Sequence, residues 1–139
     1  MNNNKIVMGF DYGTRKIGVA IGQLITRTAT PTAIVSARDG IPNWAEIDKL
    51  VKTWEPAQFV VGLPLNMDGS ESEMSRRALK FARRLTGRFN LPHHTIDERL
   101  STREAREQSN SQTNSHQMID DLAAKIILES WLNLQSPEP

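Results

Sequence analysis

Three acidic residues stand at the ends of predicted elements that are far apart along the chain. Asp11 ends an apolar predicted strand, Glu98 follows another strand, and Asp120 lies on the last predicted helix. Neither histidine nor cysteine belongs to the set. Carboxylate oxygens are the ligands that hard cations such as magnesium prefer, and carboxylate-bound magnesium supports phosphoryl chemistry. The pattern therefore predicts a carboxylate metal site.

Each of these acids also has a simpler interpretation. Asp11 could begin an Asx-turn, Glu98 could belong to a surface ion-pair cluster with its neighbours, and Asp120 could cap a helix. Helical periodicity, however, sets Asp120 on the inward side, between Ile127 and Trp131. A carboxylate on a buried face costs several kcal/mol unless it is paired or bound to a cation. The three acids together favour the metal site.

Composition limits the protein classes to which such a site can belong. The chain has 139 residues, which fits one domain over residues 1–139, and it has no cysteine. Disulfides, thiolate-bound zinc, iron–sulfur clusters and a cysteine nucleophile are excluded. The N-terminal run does not resemble a signal peptide, and no stretch approaches the roughly 20 apolar residues of a membrane span. We expect a cytoplasmic protein with no membrane partner.

The formal charge of +1 gives no overall attraction to nucleic acid, so any attraction must be local. One basic cluster occurs on the predicted helix 74–89, where apolar residues fall on one arc. The opposite arc carries six cations: Arg76, Arg77, Lys80, Arg83, Arg84 and Arg88. The cluster is either a solvated face of an amphipathic helix or a stripe that tracks phosphates. The absence of acidic residues between Met74 and Leu91 favours the stripe.

Hydrophobic patterning predicts a mixed sheet flanked by helices. The predicted strands are 5–10, 17–22, 32–36, 58–62 and 93–97. The predicted helices are 43–54, 74–89, a brief one from Ser101, and 119–134, with loops at 38–42 and 108–117. The first two strands form a hairpin, and the later ones are reached through helices. If the strands that start at Lys5, Gln58 and His93 are parallel, Asp11 and Glu98 meet at one sheet edge.

Three small residues and two histidines need separate interpretations. Gly18, Ala20 and Gly22 leave one face of the second strand nearly bare, which allows close approach of either a ligand or a helix. His93 and His94 are adjacent on a predicted strand and so point to opposite faces. We therefore expect packing or surface roles for these histidines rather than a ligand set.

Four segments carry a resemblance to a known family. They are residues 11–20, residues 61–64 with Asn66, Asp68 and Gly69, residues 97–102, and Asp120 with residues 123–124 and 126–128. In order and spacing they resemble the YqgF family, also called RuvX, whose members are nucleases similar to Holliday junction resolvases. The resemblance covers nearly the whole chain. It implies an α/β ribonuclease H-like fold, with a mixed five-stranded sheet flanked by helices on both faces.

The resemblance also implies a function and a site. It predicts a hydrolase acting on ester bonds, a nuclease that matures the 5′ end of precursor 16S rRNA in bacterial ribosome biogenesis, or one that resolves branched DNA. Asp11, Glu98 and Asp120 would be catalytic and would bind two Mg²⁺ or Mn²⁺ ions, with Asp11 bridging both. The expected partners are structured RNA or branched DNA, and ribosomal particles. The expected oligomeric state is a monomer or a weak dimer.

Eight residues are predicted to contact nucleic acid. They are Thr14, Arg15, Lys16, Asn66, Arg77, Lys80, Arg84 and Arg99. A structural salt bridge is an equal alternative for Arg99. One departure from the family is visible, since many relatives have a basic loop before the last acid whereas residues 108–118 are mostly serine, asparagine and glutamine.

Two other functions remain open from the sequence. An Asp-x-Gly-Thr turn before a glycine-rich strand also opens the phosphate loop of actin-like ATPases, but those proteins close two domains around the nucleotide. A non-catalytic RNA-binding or regulatory module would keep the basic helix and make the acids dispensable. Saturable ATP binding would support the actin-like alternative. Tight RNA binding without cleavage would support the non-catalytic module.

Overall fold

A computed structural model describes residues 5–100 and 116–135, in which strands and helices alternate after an initial hairpin. The strands are β1 Ile6–Asp11, β2 Lys16–Gln23, β3 Thr28–Arg38, β4 Ile41–Pro42, β5 Gln58–Leu63 and β6 His93–Asp97. The helices are α1 Trp44–Trp54, α2 Glu73–Phe89 and α3 His116–Leu134, with a 3-10 turn at Glu98–Leu100. The predicted brief helix from Ser101 and most of the 108–117 loop lie outside the described residues.

The strands form one mixed sheet in the order β4-β3-β2-β1-β5-β6. Strand β1 is antiparallel to β2 and parallel to β5, with Phe10 opposite Val61. Strand β5 is in turn parallel to β6, with Leu63 opposite Asp97. The C-terminal ends of β1, β5 and β6 therefore lie at one edge, as the sequence predicts.

The sheet of the described residues has one strand more than the five predicted. Strand β3 continues to Arg38, and Asp39 and Gly40, both with positive φ, turn the chain back so that Ile41 pairs with Arg38. The segment predicted as a loop thus contains the short strand β4. Strand β3 also begins four residues earlier than predicted, and its pairing with β2 shifts register where Ala20 faces Pro31. Such an irregularity lets a strand accommodate proline.

Helices cover both faces of the sheet. On the face that we call the α2 face, Phe10 and Phe59 pack with Ala78 and Phe81 of helix α2, and Ile47 of α1 joins the same core. On the other, the α3 face, a second core is formed by Val7, Ala20, Val60, Ala124, Ile127, Leu128 and Leu132. Both cores are fully or almost fully buried, and strand alternation gives each strand side chains for both.

The bare face of β2 receives helix α3. A Cβ added at Gly22 would lie 2.9 Å from Leu132 Cδ1, and Ala20 is buried in the same core. Close packing by a helix therefore explains Ala20 and Gly22, for which the ligand interpretation is not needed.

The spacing of Ser70 and Glu73 in the sequence predicts Ser70 as the cap of helix α2, but the observed cap lies two residues later. Ser72, not Ser70, is the N-cap, and its hydroxyl accepts a hydrogen bond from the Ser75 amide at 2.9 Å. The Ser75 hydroxyl reciprocates by accepting from the Ser72 amide. Ser70 instead donates to Asp68 within the preceding loop. Across the described residues, no helix combines the length and the apolar character that a membrane span requires.

Candidate active site

Asp11 lies at the C-terminal edge of the sheet and on its α3 face. It is the last residue of β1 and is half-buried. Val7 packs in the α3-face core, and a Cβ at Gly9 would meet Leu128 of helix α3. Because alternate residues of a strand share a face, Asp11 projects to the same side. Its carboxylate thus stands at the C-terminal end of β1, on the side of the sheet that α3 covers.

Glu98 reaches the same edge and face from the turn after β6. A Cβ built on Gly62 would lie 2.9 Å from Glu98 Cγ and 2.8 Å from Ile127 Cδ1. Glu98 therefore lies over the backbone of Gly62, beside helix α3. Gly62 follows Val61, whose partner in β1 is Phe10, so it lies level with Asp11. The two acids occupy neighbouring positions across strands β1 and β5.

The third predicted acid, Asp120, lies in helix α3, but its side chain is outside the described part of the structure. Within the described residues, no group of three acidic or histidine side chains is positioned to hold a metal ion. The structure thus brings two of the three predicted acids to one place. The complete set stays a prediction.

Arg99 connects the turn that carries Glu98 to the loop after β5. Its guanidinium donates to Asp97 Oδ2 at 2.6 and 3.0 Å, to Asp97 Oδ1 at 3.1 Å, and to the carbonyl of Met67 at 3.0 Å. These hydrogen bonds lower the pKa of the Asp97 carboxyl below its ordinary value, against a smaller rise from burial. The salt-bridge alternative for Arg99 is therefore present in the structure. This salt bridge, with the hydrogen bond to Met67, holds the turn that carries Glu98 against the loop after β5.

Asn66 stabilises the loop between β5 and α2 through hydrogen bonds to other residues of that loop. Its side-chain amide donates to Ser70 Oγ at 3.0 Å and to the carbonyl of Glu71 at 3.3 Å, and its backbone closes a turn with Gly69. Asn66 is exposed, so the predicted contact with nucleic acid stays a prediction alongside this structural role.

The turn that follows Asp11 presents two cations to solvent. Arg15 and Lys16 are exposed, and Thr14 is half-buried. The turn is anchored through its backbone, since the carbonyl of Thr14 accepts from the Gly40 amide at 2.9 Å and that of Arg15 from Ala37 at 2.8 Å. The predicted contacts from Thr14, Arg15 and Lys16 to phosphate stay predictions.

The other predicted nucleic-acid residues lie on the opposite, α2 face. Arg77, Lys80 and Arg84 line a cleft of about 250 Å³ together with Tyr12, Phe81 and the turn 39–42. We call this the basic cleft. The ring of Tyr12 packs on that of Phe81 in a tilted arrangement, with ring centroids 5.1 Å apart, and its hydroxyl donates to the carbonyl of Gly40. Burial raises the pKa of Tyr12, and the charges of Arg77 and Arg84 oppose that rise.

Sequence patterns did not assign Tyr12 or the 39–42 turn to this cleft. Tyr12 and Gly40 are 28 residues apart, and their contact depends on how β3 and β4 return the chain. The available signal was the pair Asp39-Gly40, a combination typical of turns. That signal predicts a turn without predicting what the turn faces.

The adjacent histidines point to opposite faces, as predicted. His93 Nδ1 lies 2.7 Å from the Thr86 hydroxyl of helix α2. His94 stacks on Trp131 of helix α3, with ring centroids 5.0 Å apart, and its Nε2 lies 2.7 Å from Gln58 Oε1. Burial, and to a smaller extent the charge of His93, lowers the pKa of His94. Both residues have packing roles.

Comparison with known proteins identifies relatives over nearly the full chain. Residues 5–134 match the family described as "RuvX: Holliday junction resolvase". A protein of Azotobacter vinelandii named "Putative pre-16S rRNA nuclease" is 52% identical over 136 residues, covering 95% of this chain and 96% of that protein. A protein of the same name from Saccharophagus degradans is 46% identical over 140 residues, which cover 98% of this chain and 99% of that protein.

Solved structures show the same fold at low sequence identity. Thermus thermophilus RuvC in complex with a Holliday junction substrate has a TM-score of 0.62 and 12% identity, with 94% of this chain and 96% of that chain covered. The fowlpox virus Holliday junction resolvase has a TM-score of 0.55 and 15% identity, and the match covers 92% of this chain and 98% of that chain. The ribonuclease H-like architecture predicted from the sequence is confirmed.

Proposed function

The chain belongs to the RuvX family, and on that premise we propose that it is a metal-dependent endonuclease that processes the 5′ end of precursor 16S rRNA. The proposal treats residues 1–139 as one nuclease domain. It extends to this chain the activity that the names of its relatives state.

One observation carries the proposal. Asp11 and Glu98, which are 87 positions apart, project to the same face at the edge where the C-terminal ends of β1, β5 and β6 meet. Ligands of open α/β sheets bind at this edge. Two carboxylates brought together there repel one another unless a cation or a proton lies between them.

Helical spacing supports Asp120 as the third member. Ile127 lies over Gly62, level with Asp11, and position 120 precedes Ile127 by seven residues. Seven residues are about two helical turns, or roughly 10 Å along the axis, and return to the same face. Helix α3 approaches the carboxylate edge with its N-terminal end, since Ile127 lies on β5 near that edge and Leu132 lies on Gly22 at the far end of β2.

The donor chemistry fits a hard divalent ion. Asp11, Glu98 and Asp120 would offer only carboxylate oxygens, which suit Mg²⁺ or Mn²⁺ and do not select zinc or copper. These three residues would hold the ions. When bound, such ions lower the pKa of an attacking water and stabilise the leaving oxygen of a phosphodiester.

The protein's own residues then have three roles. Asp11 and Glu98 would hold the ions at the edge where β1 and β5 end. Arg99 keeps the turn of Glu98 in place through Asp97 and Met67. Arg15 and Lys16, exposed beside Asp11, bind the flanking phosphates and offset their charge.

Cleavage assays with matched variants test the proposal. Purified protein with Mg²⁺ or Mn²⁺ is incubated with a precursor 16S rRNA fragment, and Asp11→Asn, Glu98→Gln and Asp120→Asn are compared with it. Asp121→Asn is the control, because helical periodicity assigns position 121 to the side of Lys125, away from the site. We expect cleavage to fall at least about 100-fold in the three variants and to persist in the control.

Other outcomes would reject the proposal or redirect it. Unchanged cutting in the three variants would assign the activity to other residues or to a contaminant. Tight RNA binding that survives Asp11→Asn, without any cleavage by the wild-type protein, would favour a non-catalytic RNA-binding module. A four-way DNA junction belongs in the same assay, and preferential cutting of the junction would favour the resolvase function. Saturable ATP binding would revive the actin-like alternative.

A pre-16S rRNA substrate has consequences for partners and location. The substrate is structured RNA, and the protein would meet it in precursor ribosomal particles in the bacterial cytoplasm. We propose action as a monomer or weak dimer. Sedimentation of the protein with and without precursor particles tests both points.

A further inference from the structure

We infer that the basic cleft is a phosphate subsite for a single-stranded segment of the substrate adjacent to the scissile bond. The inference rests on the proposed nuclease function and adds to it a substrate class, nucleic acid that is unpaired beside the cut. The cleft is defined by Arg77, Lys80, Arg84, Tyr12 and the turn 39–42.

The charges of the cleft suit a phosphate. The side chains that line the cleft include three cations, Arg77, Lys80 and Arg84, and one carboxylate, that of Asp39. Among the described residues, none of the three cations is engaged in an ion pair, whereas Arg88 of the same helix pairs with Asp48 at 2.7 Å. A cation without a carboxylate partner keeps its full attraction for an anionic ligand.

The cleft also has an apolar floor. The accessible apolar surface is the half-buried Tyr12, which packs on the buried Phe81, and Ile41 at the rim, which is 63% exposed. Aromatic and apolar surfaces next to cations are typical of proteins that bind single strands, because the bases and sugars contact the rings while the cations follow the backbone. This combination favours a nucleotide over a free inorganic anion.

The turn 39–42 makes the cleft a defined shape. Gly40 has φ +83°, and a Cβ there would lie 2.5 Å from the Tyr12 hydroxyl and 3.2 Å from Arg77 Nη1. The backbone of Gly40 thus approaches both residues so closely that a side chain would not fit. Tyr12 donates to the Gly40 carbonyl, and the Gly40 amide donates to Thr14, so the wall of the cleft is connected to the turn beside Asp11.

The position of the cleft determines what can occupy it. Tyr12 immediately follows Asp11 and points to the α2 face, whereas Asp11 points to the α3 face. A substrate that contacts both must pass around the sheet edge at residues 11–14. Duplex DNA has a persistence length of about 50 nm, so bending it around this edge costs free energy. A single strand follows the edge without that cost, so the cleft favours substrates whose nucleotides between the scissile phosphate and the cleft are unpaired.

Binding assays without cleavage test this inference. Fluorescence anisotropy in EDTA measures the affinity for a labelled single-stranded oligouridylate and for an RNA duplex of equal length. The variant R77Q/R84Q removes two cations from the cleft. R76Q/R83Q is the matched control, with the same charge change on the same helix at exposed residues that do not line the cleft.

We expect R77Q/R84Q to weaken single-strand binding about tenfold, with a salt dependence reduced by roughly 0.7 per lost phosphate contact. The control should weaken it no more than about threefold, and duplex binding should change equally in both variants. Lys80→Gln provides an independent second variant with the same expected direction. The unfolding midpoint of each variant confirms that it is folded.

Two results would overturn the inference. Equal losses in R77Q/R84Q and R76Q/R83Q would show that helix α2 acts as a uniform positive surface. A loss of duplex binding as large as the loss of single-strand binding would remove the selectivity for unpaired strands. Because the assay contains no divalent ion, its outcome is independent of whether Asp11, Glu98 and Asp120 catalyse cleavage.

Discussion

Glu98 lies directly over Gly62, with its Cγ 2.9 Å from the position that a Cβ on Gly62 would take. The space that a glycine leaves at β5 is therefore filled by the side chain of a predicted metal ligand. Any larger residue at position 62 must displace that ligand or Ile127, which lies 2.8 Å from the same point.

Gly62→Ala should consequently impair activity more than stability. Both neighbours of the new methyl group are side chains that can rotate away, so we expect a modest loss of folding free energy, on the order of 1 kcal/mol. Displacement of Glu98 by about 1 Å should reduce cleavage by roughly 100-fold. Urea denaturation and the cleavage assay measure the two effects.

Gly9→Ala is the matched control, with the opposite expectation. Its Cβ would lie 2.8 Å from Leu128 Cβ, an atom fixed to the backbone of helix α3. Overpacking at such a point costs about 1–3 kcal/mol, while Glu98 is untouched. Equal losses of activity in the two variants, after correction for the unfolded fraction, would contradict a specific role for Gly62.

Divalent ions should stabilise the protein through its carboxylates. Because the predicted acids repel one another without a cation, Mn²⁺ or Mg²⁺ at 100 times its dissociation constant should add about 2.7 kcal/mol to the free energy of unfolding. The thermal midpoint with and without the ion measures this. Asp11→Asn should abolish most of the shift and Asp48→Asn, at the surface ion pair, should retain it. An identical shift in both variants would locate the ion elsewhere.

Stability should fall below about pH 6.5 because of His94. Its pKa in the folded protein is lowered by burial against Trp131, while in the unfolded chain it is near 6.5. Below that pH the unfolded state binds more protons, so the free energy of unfolding decreases as pH falls. Denaturation at pH 7.5 and 5.5 should show a smaller difference in His94→Gln than in the wild type. An unchanged difference would assign the pH dependence to other groups.

The cap of helix α2 should contribute measurably to stability. Ser72→Ala removes the hydroxyl that accepts from Ser75 and donates to the Pro64 carbonyl at 2.6 Å. We expect a loss of about 1 kcal/mol, measured by urea denaturation. Ser70→Ala, two residues earlier and exposed, should cost less. The reverse order would show that the first turn of α2 is held by other contacts.

Arg99→Gln should loosen the loop beside the site. It removes the hydrogen bonds to Asp97 and to the Met67 carbonyl, so the amides of Gly69 and Ser70 should exchange hydrogen faster than in the wild type. Arg88→Gln, which breaks the distant pair with Asp48, is the control. Unaltered exchange at residues 69 and 70 in Arg99→Gln would contradict the role of Arg99 in fixing the loop.

The features that the sequence predicted correctly are those encoded locally. Apolar runs predicted β1 and β5, and a helix precedes each of the strands β5 and β6, which favours parallel pairing. Asp11 and Glu98 were therefore expected at one edge of the sheet. The opposite orientation of His93 and His94 follows from the two-residue period of a strand. Asp120 remains a prediction, because its side chain lies outside the described structure.

The features that the sequence missed depend on contacts between distant segments. Two serines could cap helix α2, and Ser72 is selected because its hydroxyl also reaches Pro64, eight residues earlier. Strand β4 exists because β3 is long enough for Ile41 to fold back on Arg38. The basic cleft needs both that turn and Tyr12. No periodicity within a single element contains this information.

Glycine at positions 9, 22 and 62 lets helix α3 rest almost on the sheet backbone, at Leu128, Leu132 and Ile127. The helix is therefore seated at a fixed height above the strands at these three contacts. At 1.5 Å per residue, position 120 lies about 10 Å beyond Ile127 along the helix axis. Only a change that lifted the helix at all three points together would carry its N-terminal turn away from the edge that Asp11 occupies.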